Sequence, residues 1–271
     1  MVAYLLCAGF GTRMRPLTED TPKSLLPVAG RPILDHLLDE LQDWSALDAV
    51  HVAVNHSDAP AFREWAETWR ASLADHDCSL SIHDDGVRSP DEQLGAVGDL
   101  RFLLEEAGPP PDGALVSGGD SLYRFPLGPL LQDFEGTRSR ILALYEPNPD
   151  RRRKSTVLEL DGPRLTGLVN DPTDTSSEWI GPSWYLLTPS ALAAVEPYLR
   201  TGGNPDALSA YLDTVRRRER IDALRLPRQE GLRLHCNTPE DLERARTLLE
   251  DAPRYLIDAE SVRESLPSRD G

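Results

Sequence analysis

The stretch from Ala3 to Ile33, AYLLCAGFGTRMRPLTEDTPKSLLPVAGRPI, decides how the rest of the chain is read. Val2 to Ala8 is an apolar run with the composition of a buried strand, and Gly9-Phe10-Gly11-Thr12-Arg13 then turns the chain with two residues that tolerate unusual backbone angles. Glycines let main-chain N–H groups approach an anion, while Arg13, Arg15 and Lys23 add positive charge within the same loop. A strand that opens into a cationic backbone cradle points to phosphate as the guest.

Two familiar phosphate loops are excluded by what is missing. A P-loop needs Gly-Lys followed by Ser or Thr where this loop carries Arg13-Met14-Arg15-Pro16. The dinucleotide fingerprint fails because Met14 stands at its third Gly. Lysine adds a further pointer, since it occurs only at Lys23 and Lys154 while every other strongly basic residue is Arg. Retaining Lys23 in the loop suits a site that needs a compact point charge rather than a planar fork.

The 271 residues suffice for one large α/β core or two modest ones. A formal net charge of −16 opposes nonspecific binding to nucleic acid or an anionic membrane, so binding of a phosphate ligand has to rely on local charge. No apolar run approaches a membrane-spanning length, and the N-terminus reads as strand plus charged loop rather than signal peptide; a cytoplasmic location is expected. Cys7, Cys78 and Cys236 are odd in number and unclustered, which fits reduced thiols.

Beyond the loop, apolar spacing predicts a helix over Pro32–Trp44 with Pro32 in its first turn, a strand over Ala49–Asn55, a helix over Ala59–Leu73 and a strand over Ser79–His83. Strands alternating with helices imply parallel pairing, with ligands beyond the carboxyl ends of the strands. Ala114–Ser121 reads as a central strand that ends in Asp120 on a glycine turn at that edge, where a carboxylate can hold Mg²⁺ against triphosphate oxygens. Arg140–Tyr145 is a further core strand; Thr156–Leu160, Arg164–Val169 and Trp179–Leu187 alternate as antiparallel β. Pro189–Leu199 and Pro205–Val215 read as helices, Ile221–Leu226 as a strand, and Thr238 as the N-cap of a last helix reaching about Leu249. The charged tail from Asp258 is expected to fray. Trp65 and Trp69 are open to two readings, core or subunit interface, so a homo-oligomer stays open too.

Gly9-x-Gly11-Thr12-Arg13-x-x-Pro16-Leu17-Thr18, followed by Pro22-Lys23-x-Leu25-Leu26-Pro27-Val28-x-Gly30-x-Pro32-Ile33, closely resembles the signature of the sugar-phosphate nucleotidylyltransferases. The resemblance covers roughly Met1 to Asp251 and is strong in the N-terminal third. It implies a Rossmann-like α/β fold, a mixed and mostly parallel sheet with helices on both faces, of the glycosyltransferase-A-like nucleotidyltransferase type. A single domain over 1–251 is expected, with a nucleotide-binding part (1–136), an acceptor-binding part (137–251) and a tail (252–271). The implied reaction moves a nucleoside monophosphate from a nucleoside triphosphate to a phosphorylated acceptor, most simply a sugar 1-phosphate, and releases pyrophosphate. By the same resemblance Ala8, Gly9, Gly11, Thr12, Arg13, Gln93 and Gly95 bind the nucleotide, the last two in a segment similar to the family's Leu-Gly-Thr-Ala-Gly-Ala-Leu. Arg13, Lys23 and Asp120 would carry catalysis, with Arg13 on the β and γ phosphates, Lys23 between α-phosphate and acceptor, and Asp120 on Mg²⁺.

The acceptor half departs from that family. Asn170-Asp171-Pro172 stands where Glu-Lys-Pro is usual, and His235-Cys236-Asn237-Thr238-Pro239 stands where Asp-x-Gly-Thr-Pro would supply a second metal ligand. Asn237 replaces that ligand in this reading, with His235 a weaker donor for a hard cation. Gly181-Pro182-Ser183-Trp184-Tyr185 takes the place of Gly-Ile-Tyr, so Lys23, Asn170, Gly181, Ser183 and Tyr185 are the expected acceptor contacts. These departures also resemble the cytidylyltransferases of phosphocholine and phosphonates, for which Trp179, Trp184 and Tyr185 would form an aromatic wall. A third reading is a non-catalytic nucleotide-sensing subunit.

Overall fold

In the computed structural model, residues 1–170, 172–173, 176–250 and 253–266 are described; Asp171 and the last residues of the tail lie outside them. Val2–Leu6 (β1) pairs in parallel with Ala49–Val54 (β2) on one side and Ala114–Gly118 (β4) on the other, and Ser79–Asp84 (β3) extends the sheet from β2. Helices Ile33–Leu41 (α1), Ala59–Ala74 (α2) and Ala96–Ala107 (α3) supply the crossovers. Both faces of β1 are covered, which is why its sequence shows no alternation. Ala3 and Leu5 pack with Leu34, Leu37, Phe62 and Trp65 of α1 and α2, whereas Tyr4 turns the other way, to Val97, Leu100 and Leu103 of α3.

Trp65 and Trp69 belong to that core. Both are largely buried, and both indole N–H groups donate to Asp35 Oδ1 at 2.8 Å, so one carboxylate on α1 anchors the neighbouring helix. Pro32 sits one position earlier than its expected place. With ψ near 143° it is extended, part of a two-residue strand Arg31–Pro32 paired with Pro27–Val28, and α1 starts at Ile33.

The second half contributes Ser139–Tyr145 (β5), Thr156–Asp161 (β6), Arg164–Val169 (β7), Trp179–Gly181 (β8), Trp184–Leu187 (β9) and Ile221–Arg225 (β10). All ten strands form one sheet, in the order β8-β6-β7-β10-β5-β9-β4-β1-β2-β3. The expected strand Trp179–Leu187 is two strands instead. Pro182 brings no N–H to a ladder, and the chain leaves β8 there to enter β9 between β4 and β5, with Ser183 O accepting from Gly118 N at 3.1 Å. Because β8 also pairs with β5, strands β8, β6, β7, β10 and β5 close a circuit of pairings. Helices Pro189–Ala193, Val195–Arg200 and Leu208–Arg216 (α4) lie over the face already covered by α3.

A third cluster of buried residues fixes the site. Met14, Leu26, Val28 and Ile33 from the N-terminal stretch pack with Leu122 and with Leu234, Cys236, Leu242 and Ala245 near the other end of the chain. The last two lie on Pro239–Glu250 (α5), whose N-terminus is capped reciprocally: Asp241 N donates to Thr238 Oγ1 at 3.2 Å, and Thr238 N to Asp241 Oδ2 at 3.0 Å. The tail does not fray where it is described. Asp258 caps a helix over Ala259–Glu264 through Ser261 N, and Val262 is fully buried against the core. All three cysteines are free and buried. No helix of the described residues is long and apolar enough to cross a membrane.

Candidate functional site

The glycine loop leaves β1 and folds back on itself. Gly11 has φ near 57°, and a Cβ there would stand 3.0 Å from Thr18 Cγ2 and 3.3 Å from Lys23 Cβ, so only glycine lets the two arms of the loop close. Its carbonyl accepts from Met14 N and Thr18 Oγ1, both at 2.8 Å. The returning arm makes a 3₁₀ turn over Lys23–Leu25 and buries Ser24 against Cys7 and Gly119. A Cβ on Gly119 would collide with Cys7 Sγ and stand 2.7 Å from Ser24 Oγ; this close approach sets Lys23 beside the next residue, Asp120.

Lys23 Nζ donates to Asp120 Oδ2 at 2.7 Å and to Asn237 Oδ1, so two oxygens from distant parts of the chain converge on one cationic point. The strand pair Ser121–Tyr123 with Arg233–His235 explains the convergence, because it sets His235 opposite Ser121. His235 Nε2 lies 3.1 Å from Asp120 Oδ2, and its Nδ1 lies 3.2 Å from Asn237 Nδ2. Only the Nε2–H tautomer satisfies both contacts, and it turns the amide oxygen of Asn237 toward Lys23. Burial, then Arg233, lowers the His235 pKa against the pull of Asp120, keeping the ring neutral. Burial works against ionisation of Asp120, but His235, Lys23 and Arg233 together hold its carboxyl well below the usual carboxylate range.

This cluster lines one part of a cavity of about 410 Å³ at the carboxyl ends of β1 and β4. Ala8, Gly9, Gly11, Thr12, Arg13, Gln93 and Gly95, the expected nucleotide contacts, all line it. Arg13 is exposed there, without a hydrogen bond or ion pair among the described residues. Gly95, at φ near 78°, is pressed against the backbone of Pro205, whose carbonyl takes the N–H of Val97 at 2.7 Å. That N–H at the start of α3 is therefore engaged within the fold.

Of the expected acceptor contacts, Lys23 and Ser183 line the cavity, while Asn170, Gly181 and Tyr185 do not. Asn170 bridges Thr156 and Ser209, accepting from the first at 2.8 Å and donating to the second at 2.6 Å. A Cβ on Gly181 would meet Leu158 and Ile141, and Tyr185 is buried in the core with its hydroxyl pushed up to about 12 by burial. The aromatic wall does not form: Trp184 is buried on the face of α1 and α2, and Trp179 and Tyr185 pack on the opposite face. Trp179 is moreover covered by the guanidinium groups of Arg225 and Arg228.

Sequence reading missed the far part of the cavity, which carries Asp85, Asp99 and Asp206. Burial, with Asp85 and Asp206 adding to it, pushes Asp99 up to about 7. The signal was present: Asp99 falls on the stripe of α3 that carries Leu100 and Leu103, where an acid is out of place.

Residues 2–217 match the family described as Nucleotidyl transferase. A UTP–glucose-1-phosphate uridylyltransferase of Haloferax volcanii is 27% identical over 254 residues, spanning 93% of this chain and 97% of that protein. Mannose-1-phosphate guanylyltransferase 1 of Arabidopsis thaliana is 29% identical over 202 residues, 72% of this chain but 52% of the longer relative. Among solved structures, UDP-glucose pyrophosphorylase complexed with UDP-glucose superposes with a TM-score of 0.70 at 17% identity, covering 91% of this chain and 97% of that one. The UTP-bound enzyme from Acinetobacter baumannii gives the same TM-score, 0.70, at 17% identity, covering 91% and 92% of the two chains.

Proposed function

The chain belongs to the nucleotidyl transferase family, and on that premise we propose that it joins a nucleoside monophosphate from a nucleoside triphosphate to a sugar 1-phosphate. An acceptor phosphate oxygen attacks the α-phosphorus in line, the bond to the β-phosphate oxygen breaks, and pyrophosphate leaves. The observation that carries this reading is the convergence of Lys23 with Asp120 and Asn237 in the cavity rimmed by the glycine loop.

Little proton transfer is required, because the acceptor phosphate is already an anion at neutral pH. The barrier lies in bringing two anions together and neutralising the charge that develops. Lys23, in the cavity, would bridge them, and Arg13, exposed in the same cavity, would take the β and γ phosphates. The two oxygens on Lys23 are hard donors of the kind Mg²⁺ takes, so Asp120 and Asn237 are the residues that would hold it. Bound there, Mg²⁺ would supply Lewis-acid neutralisation of the triphosphate charge. His235 orients both oxygens rather than ligating. Among the described residues no group of three or more His, Cys, Asp or Glu competes as a metal centre.

Reduced, buried thiols and these substrates support a cytoplasmic site of action. The proposal is tested by following pyrophosphate release from four nucleoside triphosphates against sugar 1-phosphates, phosphocholine and 2-hydroxyethylphosphonate. Turnover with a sugar 1-phosphate is the expected result. Turnover confined to phosphocholine or the phosphonate would replace the acceptor, and nucleotide binding without turnover on any acceptor would leave a sensor.

A further inference from the structure

The cavity is polarised. Asp120 follows β4 and Asp85 follows β3, and the strand order places β1 and β2 between them. Three strand spacings amount to roughly 14 Å. At the β4 end stand Lys23 and Asn237 with Asp120; Asp85 stands at the β3 end, and Asp99 on α3 feels both it and Asp206. A triphosphate belongs at the first end, since three carboxylates repel it from the second. The acidic end is left to the base.

Asp99 is the residue that asks for a ligand. It is 7% exposed, it lines the cavity, and its buried Oδ1 has no hydrogen-bond partner among the described residues. Among the described residues no Lys, Arg or His forms a salt bridge with it. A buried acceptor left without a donor is costly, and folds seldom leave one without a use. Gln93, on the loop leading into α3, borders the same end with an amide.

Nucleobases differ in what they offer a carboxylate. Uracil and thymine present one N–H between two carbonyl oxygens, which the acidic end would repel. Cytosine and adenine present one amino group beside a ring acceptor. Guanine alone sets an N–H and an amino group side by side, two donors for the two oxygens of one carboxylate.

Resting on the nucleotide-site reading above, we propose that Asp99 is the base-selecting residue, taking the N1–H and the 2-amino group of guanine, so that the chain prefers GTP. Asp85 and Asp206 reinforce the choice by keeping the surrounding potential negative. Two N–H donors on Asp99 also favour its charged form, which burial otherwise opposes.

The test is calorimetric titration of the full chain with GTP, inosine triphosphate, dGTP and UTP in the presence of Mg²⁺. GTP is expected to bind at least about tenfold more tightly than inosine triphosphate, which lacks the 2-amino group, and about 100-fold more tightly than UTP. Binding of dGTP should match GTP. In Asp99→Asn, which keeps the shape but removes one acceptor, GTP binding should fall about 100-fold while UTP binding stays within about threefold. Equal binding of GTP and inosine triphosphate, or UTP binding as tight as GTP, overturns the assignment and leaves the transferase reading standing. A loss for dGTP without one for inosine triphosphate overturns it too, by giving Asp99 the ribose. If none of the four binds, the guanine assignment is overturned, and the transferase reading is decided separately by pyrophosphate release from the other nucleoside triphosphates. Should Asp99→Asn not fold, the wild-type ligand series decides alone.

Discussion

The two halves of the sheet use the same kind of strand to opposite ends. In the parallel half, β1 and β4 finish at a loop whose charges the fold leaves facing a cavity: Lys23 and Asp120 beside Asn237, with Arg13 open to solvent. In the mixed half, β5, β6, β7, β8 and β10 pair into a closed circuit, and three of the five residues expected to meet an acceptor are taken up by packing in it or on the neighbouring β9. Asn170 ties Thr156 to Ser209, Gly181 packs on Leu158, and Tyr185 is core. Parallel strands end in crossovers that lift their carboxyl edge free for ligand, whereas a closed circuit spends its polar groups on itself. The difference teaches that a match to a family motif carries more weight at an open edge than inside a closed one.

That contrast predicts where substitutions act on chemistry and where on stability. The largest effect is expected from Lys23→Ala, which removes a charge from the phosphate clamp: turnover should drop about 10²–10³-fold, the scale of losing one oxyanion donor, with the circular dichroism spectrum unchanged. Retained turnover would show that the clamp is only structural. Gly119→Ala comes next. Its methyl group would be driven into Cys7 and Ser24, so urea denaturation should show a loss of roughly 1–3 kcal/mol, and activity should fall because Lys23 is displaced from Asp120. Unchanged activity in that variant would mean that Ser24 does not position the loop.

Asp35→Ala separates scaffold from site within the parallel half. It strips the acceptor from two indole N–H groups, and a stability loss of about 1–3 kcal/mol is expected with kcat preserved below the melting transition. The smallest effect is expected from Asn170→Ala, about 0.5–1.5 kcal/mol in stability and no change in the KM for nucleotide. A tenfold rise in the KM for the acceptor at unchanged stability would return Asn170 to the acceptor site and weaken the contrast.

Legibility in the sequence follows the range of the interactions. The strand, the glycine loop and Asp120 at a carboxyl edge are set by local pattern and by chain direction, and they could be read directly. His235 could not be placed, since its contact with Asp120 depends on Arg233–His235 pairing with Ser121–Tyr123, a register that no periodicity announces. The break at Pro182 was written in the sequence but overshadowed by alternation on both sides of it. The tail looked solvated because charge dominates it, yet Val262 is fully buried, and Arg254 and Tyr255 hold Glu40 of α1. Asp99 was visible as an acid on an apolar stripe, a conflict between levels of the kind that functional sites produce.

The cluster of Met14, Leu122, Leu234 and Cys236 has a thermodynamic consequence. It seats Lys23, Asp120 and Asn237 on three segments separated by most of the chain, so a ligand that grips all three acts as a removable cross-link. Its binding free energy then opposes global unfolding rather than the opening of one loop. Saturating nucleotide should slow hydrogen exchange in β4 and α5 together, which would make the C-terminal helix a reporter of events at the N-terminal loop.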